Sequence, residues 1–264
     1  MSASAIHPTA IVDPGATVGA GVSIGPYAVI EGDVRIGDGC SIGPHVMIGE
    51  GTRIGRNGRV FHGASLGQIP QDKKFSGEKT FLHIGDNAFI REFCTINRGT
   101  SARGETRIGA NCWIMAYCHI AHDCILGDDV TISNSLAMAG HVEVGSFVTI
   151  GGIVPIHQFV RIGDHAFIAS VARPFMDVVP FAMVGADPTR IAGINQVGLE
   201  RRGFSAERIR EIKRAFRVLF RRNLPLAEAV KALETDWQGN PDVTAIADFV
   251  KGSTRGLIRM QNDE

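Results

Sequence analysis

From Ile6 to Leu66 an aliphatic residue stands at every sixth position: Ile6, Val12, Val18, Ile24, Ile30, Ile36, Ile42, Ile48, Ile54, Val60 and Leu66. The series resumes at Ile84, Ile90 and Ile96, then runs in phase from Ile108 to Ile168. A helix needs spacings of three and four, and a half-buried strand alternates every two, so neither explains a strict six. A coil with flat sides and regular corners does explain it, each hexapeptide being a short strand and a turn. Each aliphatic residue then stacks on its equivalent one coil away, about 4.8 Å distant. A second small or apolar position lies four residues on, as in Val22, Ala28, Val34, Cys40 and Val46. Gly often follows the aliphatic residue, as in Ile24-Gly25, Ile36-Gly37 and Ile42-Gly43. Gly and Asn are expected at corners because they accept positive φ. The predicted fold is all-β: a parallel β-helix of hexapeptide repeats.

Two segments break the repeat, 67–83 and 97–107. The core phase is kept on either side of each, so both are read as loops ejected from the coil. The first carries Gln71, Asp72, Lys73 and Lys74. Loops held out from a rigid scaffold commonly carry function. After about Asp187 the period changes. Phe204 and Ser205 read as a hydrophobic staple and N-cap. Ile209, Ile212, Phe216, Leu219 and Phe220 then follow helical spacing. Further helices are expected over 226–237 and 242–251. The chain therefore divides into a β-helix over 1–190 and a small helical domain over 191–264.

Composition narrows the function. The net charge is zero over 264 residues, which argues against a whole-molecule attraction to nucleic acid. No apolar run is long enough for a transmembrane segment. The first ten residues lack the basic start and apolar stretch of a secretory leader, and a cytoplasmic location is expected. The five cysteines, at 40, 94, 112, 118 and 124, share the second inward phase of the repeat. They read as reduced, buried packing residues. Charge is concentrated in one place. Between Glu200 and Arg222 nine basic residues meet three acidic ones.

Nine histidines are present, and none occupies an inward phase. His119, His122, His141 and His157 cluster in sequence. His122 and His141 are separated by one coil plus one residue, which places them on adjacent coils along one edge. One outward His is usually a solvated surface group. Four together, in His119-Ile-Ala-His122-Asp123, Ala139-Gly140-His141 and His157-Gln158-Phe159, indicate a site.

These segments, with Gln71-Asp72-Lys73-Lys74, Arg201-Arg202-Gly203-Phe204 and the ending Ser253-Thr254-Arg255-Gly256-Leu257-Ile258-Arg259, resemble the UDP-N-acetylglucosamine O-acyltransferases of lipid A biosynthesis. The resemblance spans nearly the whole chain and implies left-handed coiling, against the usual crossover rule. It implies transfer of a 3-hydroxyacyl group from acyl carrier protein to UDP-N-acetylglucosamine, with no cofactor and no metal. It further implies a homotrimer with sites between subunits. His122 matches the family's general base and Asp123 the carboxylate that orients it. Gly140 matches the oxyanion donor. Gln71, Asp72, Lys74, His119, His141, His157 and Gln158 match substrate-contacting positions. Asn195 and Arg201 match positions on the nucleotide. Ser170 matches the acyl-chain ruler, with Phe167 beside it, one coil beyond the catalytic edge. The 67–83 loop is expected to reach a neighbouring subunit's site. The basic stretch suits the acidic carrier protein. Two positions depart from the family pattern, Asn97 where His is common and Val197 where Glu is frequent. They leave a 3-amino sugar nucleotide as the alternative acceptor.

Three rival readings fit the sequence less well. A gamma-carbonic-anhydrase-like metalloenzyme would need three His ligands, whereas His122-Asp123 reads as an acid–base pair. A non-catalytic ice-binding β-helix would show regular Thr ranks, which do not appear. The related N-acyltransferases of the pathway carry an extra domain before their repeats, and here the repeat begins at Ile6.

Overall fold

The computed structural model describes residues 5–260. The first four residues, part of the stretch read for a leader, lie outside it. From Ala5 to Ile168 the chain winds as a left-handed parallel β-helix with three flat faces. Most strands are two residues long, and the three faces of the coil hold 9, 8 and 8 strands. Stacking follows the sequence period: Ile24 pairs with Ile42 and Ile114 with Ile132. Both inward phases are buried, Ile132 and Val130 completely. All five cysteines are buried free thiols among them. Burying one such aliphatic side chain stabilises the fold by about 1.5–3 kcal/mol. Ile132→Ala leaves a void that flanking coils cannot close. A loss of about 2–5 kcal/mol is expected, read from denaturant unfolding. In the first described coil Ile6, though at an inward phase, is exposed.

The corners correct one expectation. Positive φ is not confined to Gly and Asn. It recurs at one phase whatever the residue, including Tyr117 (φ 63), Asp123 (φ 60), His141 (φ 61), Ile153 (φ 57) and Phe159 (φ 64). The turn is set by hydrogen bonds to the coils on either side, so the backbone conformation is imposed on the side chain. The Gly that follows the aliphatic residue serves another purpose. A Cβ on Gly37 would lie 2.6 Å from the Gly55 carbonyl of the next coil.

The ejected segments are shorter than the sequence suggests. Strands Ser65–Gln68 and Phe81–Ile84 extend into the first, and Thr95–Asn97 and Glu105–Ile108 into the second. The free spans are 69–80 and 98–104. The reason is extra pairing: Phe81–Ile84 matches Glu105–Ile108 over four residues rather than two.

Beyond the coil, strands Ala182–Val184 and Ile191–Ile194 pair antiparallel on one face, a turn absent from the sequence reading. Four helices follow: α1 (Gln196–Arg201), α2 (Ala206–Arg221), α3 (Leu226–Asp236) and α4 (Pro241–Lys251). α1 was not foreseen. Ser205 caps α2, its Oγ accepting from the Arg208 N–H at 3.2 Å. Phe204 packs against His165 at a ring distance of 5.1 Å, not simply as a staple. The tail returns to the coil, where the Ser253 hydroxyl donates to Asp177 at 2.8 Å. Among the described residues no helix is long and apolar enough to cross a membrane.

Candidate active site

One corner of the coil gathers the predicted histidines. His122, Gly140 and Gln158 occupy successive rungs of one row, and Asp123, His141 and Phe159 the next. Asp123 is fully buried. Its Oδ2 accepts from His122 Nδ1 at 2.7 Å. Two more donors come from the 98–104 span: the Thr100 N–H reaches Oδ1 at 3.0 Å, and the Thr100 hydroxyl reaches Oδ2 at 2.7 Å. Burial alone would raise this carboxyl. The His122 and Thr100 hydrogen bonds outweigh it and hold Asp123 below the usual carboxylate range. The Asp123 N–H donates in turn to the buried Thr106 hydroxyl at 2.9 Å.

The ionised Asp123 fixes the neighbouring ring. A carboxylate only accepts, so His122 Nδ1 carries a proton, and in the neutral ring the lone pair lies on Nε2. His141 stands edge-on to that ring at 5.1 Å and is stacked on Phe159 at 4.6 Å. Burial lowers the pKa of His141, and Asp72 and Asp123 act against that shift. His119, half-buried, is also lowered by burial and by the nearby His122. Its Nδ1 lies 2.7 Å from the Thr95 hydroxyl.

Gly140 meets His122 directly. A Cβ at this position would fall 2.7 Å from Cε1 and 2.8 Å from Nε2 of that imidazole. The Gly140 N–H has no protein acceptor among the described residues. It is a free donor at the His122 corner.

The 69–80 span is tethered to its own chain at several points. Buried Asn97 donates from Nδ2 to the carbonyls of Gln68 and Ile69 at 3.3 and 3.0 Å. Arg98 lies over the Phe75 ring at 5.6 Å. Glu78 accepts from the Ser101 N–H at 3.1 Å, joining the two ejected spans. These tethers bring Asp72 near enough to His141 to act on its charge. Asp72 also accepts from the Lys74 N–H at 2.9 Å. Gln71 and Lys74 are exposed in the same span.

His157 and Gln158 are exposed at the same corner. Arg255 of the tail comes within 3.2 Å of His157 Nδ1.

The remaining candidates lie elsewhere on the chain. Phe167, Asn195 and Arg201 line a cavity of about 490 Å³ on another face, with Val197 and Arg202. The Asn195 side chain caps α1, accepting from the Gly198 N–H at 3.2 Å and donating to the His165 carbonyl at 2.9 Å. Ser170 belongs to a different corner from His122, where its Oγ accepts from the Gly152 N–H at 3.1 Å. The expectation that Ser170 continues the catalytic edge is therefore corrected. Ser170 is 48 residues beyond His122, which is not a whole number of 18-residue coils.

His122, Asp123 and His141 place donor atoms of types that bind zinc within 4.8 Å of one another. Those donor atoms are already engaged with one another and with Thr100. His122 Nδ1 and Asp123 Oδ2 are bonded to each other, and Asp123 already accepts from Thr100. His119 and His157 are turned to Thr95 and Arg255.

The sequence reading missed Thr100, Thr106 and Phe159 as supports. Only the ejection of the 97–107 segment pointed toward Thr100.

Comparison with known proteins is consistent across the chain. The family profile described as Udp N-acetylglucosamine O-acyltransferase, domain 2, matches residues 177–258, and bacterial transferase hexapeptide repeats match 15–50 and 105–135. A relative from Paracidovorax citrulli, named an acyl-acyl-carrier-protein–UDP-N-acetylglucosamine O-acyltransferase, is 59% identical over 97% of this chain and 100% of its own length. The like-named protein of Halorhodospira halophila is 51% identical over 96% of this chain and 99% of its own. Among solved structures, the Francisella novicida UDP-N-acetylglucosamine acyltransferase superposes with a TM-score of 0.95 at 38% identity, covering 97% of this chain and 95% of that one. The Campylobacter jejuni enzyme gives 0.91 at 41% identity, covering 97% and 100%.

Proposed function

This chain belongs to the UDP-N-acetylglucosamine O-acyltransferase family, and on that premise we propose that it moves a 3-hydroxyacyl group from acyl carrier protein to the 3-hydroxyl of UDP-N-acetylglucosamine, the first step of lipid A biosynthesis. The observation that carries the chemistry is the Asp123–His122 pair at 2.7 Å, with Nε2 turned toward Gly140. A sugar hydroxyl is a poor nucleophile at neutral pH. His122 Nε2 takes its proton as the oxygen attacks the thioester carbonyl. Gly140 donates to the oxyanion that forms. As the intermediate collapses, the C–S bond breaks and protonated His122 returns the proton to the departing thiolate. The thioester itself supplies the activation, so no cofactor or metal enters.

His119, His141, His157, Gln158, Gln71, Asp72 and Lys74 are assigned to the sugar nucleotide and acyl chain. Arg201, exposed at the cavity it shares with Asn195, suits the diphosphate. One chain holds these two groups on different faces. A second copy that lays its Arg201 face against the first copy's His122 corner unites them. This supports a homotrimer with sites between subunits, in the cytoplasm where acyl carrier protein is available. Ser170 and Phe167 then reach the acyl chain from the neighbouring copy. Ser170→Gly is expected to move the preferred chain longer and Ser170→Met shorter. Discrimination is about 1–3 kcal/mol per methylene. An unmoved optimum in kcat/KM across chain lengths would place the ruler elsewhere.

Mass spectrometry of products formed with a panel of 3-hydroxyacyl carrier proteins tests the activity. An ester on UDP-N-acetylglucosamine supports it. Product only with a 3-amino sugar nucleotide replaces it with N-acylation, the reading that Asn97 and Val197 leave open.

The basic stretch is partly used within the domain. Arg208 binds Asp242 at 2.8 and 2.9 Å, and Arg214 binds Glu211 at 3.1 Å. Arg214, Arg217, Arg221 and Arg222 border a hollow of about 650 Å³ with Trp237. Charge reversal at Arg217 and Arg221 is expected to raise KM for the carrier protein and flatten its salt dependence. An unchanged salt slope would remove them from docking.

A further inference from the structure

We propose that Thr100 is a positioning residue that sets the working tautomer of His122 by presenting Asp123 with donors alone. The inference rests on His122 being the base. The reasoning begins with hydrogen-bond capacity. A carboxyl group buried beside a histidine can sit in either of two proton arrangements. When ionised, it accepts Nδ1–H and leaves Nε2 basic. When protonated, it donates to Nδ1, and the ring must carry its proton on Nε2, where it cannot act as a base.

Thr100 removes that choice. Its N–H, which only donates, faces Oδ1 at 3.0 Å. Its hydroxyl oxygen is taken as an acceptor by the Ala102 N–H at 3.2 Å, so the single hydroxyl proton turns to Oδ2 at 2.7 Å. Both carboxylate oxygens therefore meet a donor from one residue, before His122 is counted. Thr100 is itself buried, with 6% of its surface exposed, so water does not compete freely for these bonds. The arrangement is held from outside. The Gly104 N–H donates to the Thr100 carbonyl at 2.7 Å, and the Gly99 N–H to the Phe81 carbonyl at 3.1 Å. Glu78, in the span that carries Asp72, accepts from Ser101. The 98–104 excursion is thus a rigid bracket whose one inward-facing hydroxyl meets the acid behind the base.

Thr100→Val preserves shape and the backbone N–H but removes the hydroxyl. It is expected to lower kcat about 10- to 100-fold, the worth of one charge-assisted hydrogen bond, with KM for UDP-N-acetylglucosamine within about twofold. Thr100→Ser keeps the hydroxyl and is expected to restore kcat to within about threefold. The deciding measurement is a double-mutant cycle with Asp123→Ala. If Thr100 acts through Asp123, adding Thr100→Val to Asp123→Ala costs nothing further. Multiplying losses would show that the hydroxyl matters only for the shape of the excursion and would overturn the proposal, as would an unchanged kcat in Thr100→Val. His122→Ala is measured alongside. If that variant keeps its turnover, the underlying assignment of the base fails. If it loses turnover while Thr100→Val does not, only the present inference fails.

Discussion

At sugar-nucleotide concentrations too low to fill Arg201→Ala sites, mixed assemblies of His122→Ala and Arg201→Ala chains are expected to recover activity that neither variant shows alone. His122→Ala by itself should lose about 10²- to 10⁴-fold in turnover while remaining folded, because proton removal in the attack is lost. Arg201→Ala should weaken sugar-nucleotide binding. In a ring of three, each site would take His122 from one chain and Arg201 from the next. Any trimer containing both variants then holds about one intact site in three. Random mixing should give about a quarter of wild-type activity. The structure supplies an internal control. The charge of Asp72 acts on His141 of its own chain, so with both on the His122 side of the site, mixing Asp72→Ala with His122→Ala chains should recover nothing. Recovery in the control pair, or none in the first pair with mixed trimers verified by mass, would require the site to be assembled differently.

Gly140→Ala is expected to be nearly as damaging as loss of the base, although it keeps the backbone N–H. The new methyl would meet Cε1 and Nε2 of His122 at 2.7 and 2.8 Å, closer than nonbonded carbon tolerates. The ring is held from behind by Asp123, so it cannot withdraw without breaking that bond. A displacement of about 1 Å at a reacting group costs on the order of 10²-fold in kcat. Gly140 lies at an ordinary φ, so folding should be little changed. The expected signature is a kcat loss with an unaltered thermal midpoint, and no further loss when His122→Ala is added. A Gly140→Ala enzyme of normal kcat would mean that His122 acts from a different position.

Much of the site was legible because the repeat gives each residue a fixed height and corner. The spacing of His122 and His141 was enough to place them on adjacent coils, and their rings are 5.1 Å apart. What the repeat could not supply was anything brought in from outside the coil. Thr100 reaches Asp123 from an excursion whose path has no period. Asp72 returns to its own chain through tethers to Asn97 and Ser101 that no local pattern encodes. Ser170 shows the opposite failure. Its height in the coil was read, but its corner was not, and a residue at the right height on the wrong edge is out of reach. The left-handed backbone at Ile153 and Val171 was also illegible, since side-chain preference at those positions points the other way.

The excursions have a further consequence for how such a chain tolerates insertion. Ile24 and Ile42 stack with 18 residues between their positions, whereas Leu66 and Ile96 stack across 30 and Ile96 and Ile120 across 24. The surplus leaves the coil and rejoins it on the same rung, so no downstream residue changes its facing. Doubling the length of such an excursion adds only about 0.6 kcal/mol of closure entropy. One residue added to a two-residue strand instead reverses every later side chain until the coil finds its register again. Length can therefore vary freely beside the histidines and hardly at all beneath them.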